Sequence, residues 1–238
     1  MYRRFGLMLS HMSETVPSRM GFLLAGGKSS RMGAGPGKDK AFLEFGGQTL
    51  LDRALDVMGN VCERVAIVGD PAKFTKYGSA QSVSSKSESS EYPSVVADNF
   101  PGCGPLAGIH AALVHSRADL NLMLAVDMPF VSRELLAFLF AAAEENDAIV
   151  TVPRSGKGLQ PLCAVYRRDF SPVAEQALRA EKYKIDAAFS SVSVRVIEEG
   201  ELAAAGFSEQ SFFNVNTPQD RLAAEGFADV SGRPRPAR

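Results

Sequence analysis

The stretch Leu24-Ala25-Gly26-Gly27-Lys28-Ser29-Ser30-Arg31-Met32-Gly33 gathers glycines, hydroxyls and cations in one short run of chain. It follows the apolar residues 21–25, which have the length and the glycine stop of a buried strand. It therefore begins at a strand's carboxyl end, the edge at which open α/β sheets bind ligands. Gly26 and Gly27 can adopt positive φ and bring main-chain N–H groups close to an oxyanion. Lys28, Arg31, Lys38 and Lys40 supply cations, so the expected chemistry is polyphosphate binding. Two common phosphate loops are excluded by spacing. Gly37-Lys38 is followed by Asp39, and Met32 stands where a Walker loop needs its first glycine. Gly33-Ala34-Gly35 leads to Lys38 where a dinucleotide fingerprint needs its last glycine. On spacing alone, a flexible glycine loop with solvated charges remains the alternative.

Two carboxylates end apolar runs further on. Asp127 closes the run 122–126 and Asp98 closes 94–97. Asp127 has the chemistry to hold Mg²⁺, a hard cation that favours carboxylate and phosphate oxygens. The competing reading is an aspartate that caps a turn before Pro129, and for Asp98 it is an ordinary loop residue. Asn214 and Asn216, two apart on an extended segment, point the same way and can grip a phosphate or a heterocycle. Local hydrogen bonding ahead of Thr217 is their alternative. Cys62, Cys103 and Cys163 form no CxxC pair, and His11, His110 and His115 form no HExxH motif. These spacings argue against a zinc site and predict reduced thiols in a cytoplasmic protein.

The elements that must position these groups alternate. A helix is predicted over 49–59, where Leu50, Leu51, Ala54, Leu55 and Met58 recur at helical spacing. Strands are predicted over 65–68, 94–97 and 122–126, with a helix over 105–116 between the last two. Ser132 reads as the N-cap of a helix over 134–145. The second half predicts strands over 148–152 and 162–166, a helix over 172–180, and an edge strand over 192–197. A final helix opens at Thr217-Pro218-Gln219-Asp220, with Thr217 as cap, Pro218 at the first position and Asp220 near the positive end of the dipole. Such alternation means βαβ units and a parallel sheet, and near-continuous apolar strands mean helices on both faces.

Composition sets the outer limits. A chain of 238 residues, 45% hydrophobic and 22% charged, suits a soluble α/β domain. Its net charge of -1 exerts no global pull toward nucleic acid or membrane, so phosphate binding must be local. No apolar run approaches the roughly 18 residues of a membrane span, and residues 1–19 lack the pattern of a signal peptide. Residues 1–19 are expected to be a flexible extension, residues 20–228 the folded domain and residues 229–238 a disordered tail. The serine-rich stretch 79–90 reads as a solvated loop.

The phosphate stretch, the Asp39-Lys40-Ala41-Phe42-Leu43 that follows it, the DNFPGCGPLAG of 98–108, Asp127-Met128-Pro129-Phe130 and Asn214-Val215-Asn216-Thr217-Pro218 occur in the order found in the molybdenum cofactor guanylyltransferases. The chain resembles that MobA-like family over about residues 21 to 225. The resemblance implies a Rossmann-like, doubly wound, mostly parallel sheet of the nucleotide-diphospho-sugar transferase type. It implies GTP and Mg²⁺ as reagents and molybdopterin, or its molybdenum-loaded form, as acceptor. The N-terminal part of the domain would bind GTP and the C-terminal part the pterin. Transient contact with cofactor-insertion proteins or molybdoenzymes follows from the same likeness. Nucleic acid and membrane are not expected partners.

Residue by residue, the resemblance implies that Leu24, Ala25, Gly26, Gly27 and Asp98 contact the nucleotide. Lys40 would meet the α-phosphate, Arg31 would clamp the β/γ-phosphates, and Asp127 would hold the metal; these three form the expected catalytic group. Asn214 and Asn216 match the acceptor side. Gly27 stands where related cytidylyltransferases usually carry alanine, and the missing methyl leaves room for a purine. Three departures stand out: Ala34-Gly35-Pro36-Gly37-Lys38 lengthens the loop, Asp70 stands near a position where relatives often carry asparagine, and Gln160-Pro161 replaces a His-Pro. Lys157, Lys182 and Lys184 read equally as acceptor contacts or surface cations. The competing functions are a cytidylyltransferase or sugar-phosphate nucleotidyltransferase, and a non-catalytic nucleotide-binding adaptor.

Overall fold

The computed structural model describes residues 17–26, 39–76, 93–156 and 158–230. In chain order they form β1 (Arg19–Leu24), a short helical turn (Lys40–Phe42), β2 (Glu44–Phe45), β3 (Gln48–Thr49), α1 (Leu50–Gly59), β4 (Arg64–Val68), β5 (Ser94–Val96) and α2 (Pro105–His115). There follow β6 (Leu120–Ala125), α3 (Arg133–Glu144), β7 (Val150–Ser155), β8 (Gly158–Leu159), β9 (Cys163–Tyr166), α4 (Phe170–Arg179), α5 (Ile185–Phe189), β10 (Val194–Ile197), α6 (Glu199–Ala204), a second short turn (Glu209–Phe212) and α7 (Pro218–Val230).

The main sheet runs in the order β10-β7-β9-β6-β1-β4-β5, with β8 paired to β7. Strands β4 and β6 flank β1 in parallel, and β5 extends β4 in parallel. The predicted, mostly parallel sheet is therefore present. Its exceptions are β9, antiparallel to both β6 and β7, and the small β8.

The apolar runs fill both faces because alternate side chains point in opposite directions. Leu23, Ile67, Leu122 and Leu124 pack on one face with Leu51, Met58 and Leu139 of α1 and α3. Phe22, Leu24, Ala66, Val68 and Met123 pack on the other with Leu106, Ile109 and Phe170 of α2 and α4. Every residue of β6 is buried, and each such leucine contributes roughly 1.5–3 kcal/mol of transfer free energy. Gly108 of α2 permits close packing there: a Cβ would meet Leu24 Cδ2 at 3.4 Å.

Boundaries differ modestly from those predicted. The strand predicted over 148–152 is Val150–Ser155, and the helix predicted over 172–180 begins at Phe170, which is fully buried. Of the alternating segment 192–197, Val194–Ile197 forms the edge strand β10. The β2–β3 hairpin, α5 and α6 were not foreseen. Gly46 and Gly47 form the hairpin turn with φ of 61° and 83°, the positive pair that a type I′ turn requires.

Candidate active site

The carboxyl ends of β5, β4, β1 and β6 form one rim. Main-chain bonds carry the pairing just past the strands: Gly69 N–H to Val96 O at 3.0 Å, Ala25 N–H to Val68 O at 3.0 Å, and Val126 N–H to Leu24 O at 3.2 Å. The register Leu24↔Ala125 sets the ends of β1 and β6 level, so Gly26 and Asp127 each stand two residues past that level. Leu24 and Ala25 are buried, and each has a main-chain group engaged in this pairing. Gly26 is exposed at the rim.

Lys40 reaches this rim from the short turn after the phosphate stretch. Asp39 caps that turn by accepting from Ala41 N–H at 3.2 Å, and its other oxygen meets Lys73 Nζ at 3.0 Å. Ala41 is fully buried. The Asp-Lys-Ala triplet thus divides into a cap, a reaching cation and an anchor. Lys40 Nζ donates to Asn216 Oδ1 at 2.6 Å and lies 3.8 Å from Asp127 Oδ2.

Asp127 lies two residues past the end of β6, and its side chain is only 18% exposed. Burial raises its carboxyl pKa above the ordinary value, and the Lys40 charge partly offsets that rise. Its main-chain carbonyl accepts from Val215 N–H at 2.8 Å. Arg53 Nε donates to Pro129 O at 2.7 Å, which ties the Asp127-Met128-Pro129 turn to α1. The segment before α7 therefore closes onto the strand end, and Lys40, Asp127 and Asn216 meet although 176 positions separate the lysine from the asparagine.

The structure treats the other predicted residues differently. Asp98 lies at the rim on the edge strand, partly exposed, and its Oδ1 accepts from Phe100 N–H at 2.8 Å. Three strand spacings separate β5 from β6, roughly 14 Å. Behind it, His110 is buried with no hydrogen-bond partner for either ring nitrogen. Desolvation lowers its pKa, so the neutral ring is favoured.

Asn214 departs from the expectation that both amides face one way. Its Nδ2 donates to Phe212 O at 3.1 Å, because residues 213–216 are irregular rather than a strand and the period of two does not apply. Asp70 caps its own turn, accepting from Ala72 N–H at 3.0 Å. Lys182 and Lys184 are exposed between α4 and α5. Gly27, Lys28, Arg31, Lys38 and Lys157 lie outside the described residues, as do the added loop residues 34–38, the stretch 79–90 and residues 231–238.

Two side chains that matter to the site, Lys73 and Arg53, were missed from sequence, and a third, Asp220, was read only as part of the α7 start. Lys73 pairs with Asp39, Arg53 holds the Pro129 carbonyl, and Asp220 accepts from Asn216 N–H at 2.9 Å and Thr217 N–H at 2.8 Å. Only Asp220 had a sequence signal, since Thr217-x-x-Asp220 has the spacing of a capping box. The three cysteines are free, with Cys62 and Cys163 buried. Among the described residues no helix is long and apolar enough to cross a membrane.

Comparison with known proteins bears on the family and the fold. A family model described as the MobA-like NTP transferase domain matches residues 21–193. A probable molybdenum cofactor guanylyltransferase of Pelotomaculum thermopropionicum is 37% identical over 211 residues, covering 89% of this chain and 94% of that protein. Among solved structures, molybdopterin-guanine dinucleotide biosynthesis protein A from Archaeoglobus fulgidus superposes with a TM-score of 0.72 at 26% identity, covering 89% of this chain and 99% of that one. The 2-C-methyl-D-erythritol 4-phosphate cytidylyltransferase of Thermus thermophilus gives a TM-score of 0.57 at 22% identity, over 88% of this chain and 98% of that one, and shares the fold.

Proposed function

Because the chain belongs to the MobA-like NTP transferase family, we propose that it transfers GMP from GTP to the terminal phosphate of molybdopterin or its molybdenum-loaded form. An oxygen of that phosphate attacks the α-phosphorus of GTP. The bond from the α-phosphorus to the bridging oxygen breaks, pyrophosphate leaves and a guanine dinucleotide cofactor forms. Such a transfer depends on positioning and charge neutralisation, with no covalent intermediate required of the protein.

One observation carries the reading: Lys40 Nζ stands 2.6 Å from Asn216 Oδ1 and 3.8 Å from Asp127 Oδ2, at the carboxyl edge of the sheet. In this assignment the Lys40 ammonium meets the α-phosphate and offsets charge that grows in the transition state. Lysine can only donate, so the Asn216 oxygen must face it and the amide N–H₂ remains for an acceptor oxygen. Asp98 holds the nucleoside end of GTP, across the rim from Asp127.

The donor set fits magnesium. Mg²⁺ commonly takes one or two carboxylates and completes its shell with phosphate oxygens and water. Asp127 offers one desolvated carboxylate whose raised pKa reflects incomplete charge compensation. The described residues contain no cluster of three or more metal-ligating side chains, so Asp127 would hold the ion together with the triphosphate. When bound, the ion supplies neutralisation of the phosphate oxygens.

The test is pyrophosphate release with molybdopterin as acceptor and GTP, CTP or UTP as donor, with and without Mg²⁺. Release is expected with GTP and Mg²⁺, and loss of release in Lys40→Ala. Equal release with CTP would move the chain to the cytidylyltransferases. Tight GTP binding without release would make it an adaptor.

A further inference from the structure

The main chain that carries the Lys40–Asn216 contact is itself held by Asp220. Asp220 Oδ2 accepts from Asn216 N–H at 2.9 Å and from Thr217 N–H at 2.8 Å, while Asp220 N–H donates to Thr217 Oγ1 at 3.1 Å. The last two bonds are an ordinary capping box at the start of α7. The first is additional. It extends the cap one residue outward, onto the asparagine whose side chain receives Lys40. Val215 N–H on Asp127 O pins the same segment from its other side. The main chain at Asn216 is thus fixed between the strand end and the helix start, and the direction of its amide is fixed with it.

We infer that Asp220 is a positioning residue for Lys40, acting through the main chain of Asn216 and Thr217. The inference rests on the assignment of Lys40 to the α-phosphate. The carboxylate sets where the Asn216 oxygen stands, and that oxygen sets where the ammonium waits before substrate arrives. A displacement of about 1 Å at such a group costs on the order of 100-fold in rate.

Thr217 provides the internal control. Thr217→Ala removes the cap's hydroxyl but leaves the Asp220 carboxylate on Asn216 N–H. Asp220→Ala removes the carboxylate from Asn216 N–H and Thr217 N–H but leaves the main-chain N–H of residue 220 on Thr217 Oγ1. Asp220→Glu restores the side chain usual at this capping position. The experiment measures kcat and KM for GTP in these three variants and in Lys40→Ala, with thermal unfolding recorded for each. In parallel, limiting acetic anhydride is applied to each protein without substrate, and acetylation of Lys40 relative to the exposed Lys182 is read by mass spectrometry.

The expected result is a fall in kcat of about 10- to 100-fold in Asp220→Ala, with KM for GTP within about threefold. Lys40 acetylation rises several-fold in the same variant. Thr217→Ala keeps kcat within about threefold at a comparable loss of unfolding temperature, and Asp220→Glu recovers most of the rate. Equal loss in Thr217→Ala and Asp220→Ala, or unchanged Lys40 acetylation in Asp220→Ala, reduces Asp220 to a helix cap and overturns the inference. Full activity in Lys40→Ala removes the site assignment and this inference together. An inactive Lys40→Ala beside a fully active Asp220→Ala defeats the positioning role alone.

Discussion

The two ends of the ligand rim carry the same kind of residue in different surroundings. Asp127 and Asp98 each follow a strand of the parallel sheet. Asp127 is enclosed, faces Lys40, and has its carboxyl pKa raised by burial. Asp98 is partly exposed and gives one oxygen to Phe100 N–H within its own turn. The first environment suits a cation and a reacting phosphate, because charge is poorly screened there. The second suits a fixed contact to a polar group of the nucleoside. Neighbourhood, more than residue type, assigns the chemistry.

The largest expected effect comes from exchanging charge at the enclosed end. Asp127→Asn should lower kcat by roughly 1,000-fold, comparable to the loss of a charge-stabilising group at a reacting centre. Asp98→Ala should chiefly raise KM for GTP, by about 10-fold. Steady-state kinetics separates the two, and a KM effect at Asp127 with a kcat effect at Asp98 would invert the comparison. Stability supplies a second contrast. A carboxyl whose folded pKa is raised is destabilised in its ionised form, so Asp127→Asn should unfold at a temperature no lower than the parent protein at neutral pH. As pH falls below the carboxylate range the parent side chain becomes neutral too, and the two unfolding temperatures should converge.

A smaller effect distinguishes the two asparagines at the enclosed end. Asn216→Ala removes a partner of Lys40 and should reduce kcat by about 10-fold, whereas Asn214→Ala loses a local bond to the Phe212 carbonyl and should stay within about threefold. Equal losses would restore the view that both amides serve the acceptor.

The smallest effect is a labelling difference that reports on the exposed end. Burial pushes the thiols of Cys62 and Cys163 up to about 12, while Cys103 is partly exposed in the turn between Asp98 and α2. A disulfide reagent at pH 8 should modify Cys103 first in the native protein. GTP should slow that reaction by a few-fold and pyrophosphate should not. Equal protection by both would shift the nucleoside away from Asp98.

Much of this arrangement was legible in the sequence, for identifiable reasons. Buried parallel strands read as unbroken apolar runs, so the ends of β1, β4 and β6, and with them Gly26 and Asp127, were locatable. The caps at Ser132 and Thr217 were visible because their donors are local. What stayed hidden has no local signal. The different surroundings of Asp98 and Asp127 depend on which strand lies at the edge of the sheet. The links of Lys73 to Asp39 and Arg53 to Pro129 join separate elements. The helices α5 and α6, of five and six residues, are too short for periodicity to register. Asn214 was misjudged because a strand's period was applied to irregular chain.

The hydrogen bond between Lys40 and Asn216 also has a temporal meaning. Lys40, encoded near the start of the domain, finds its partner only once the chain has been built as far as Asn216, just before α7. Contacts this remote in sequence form late, since much of the intervening polypeptide must order before they are rewarded. A growing or interrupted chain can thus pair β1 with β4 and β6 while still lacking the asparagine that holds the Lys40 ammonium in place. On the proposed role of Lys40, a chain interrupted before Asn216 should bind nucleotide poorly at the sheet's ligand edge and turn none over.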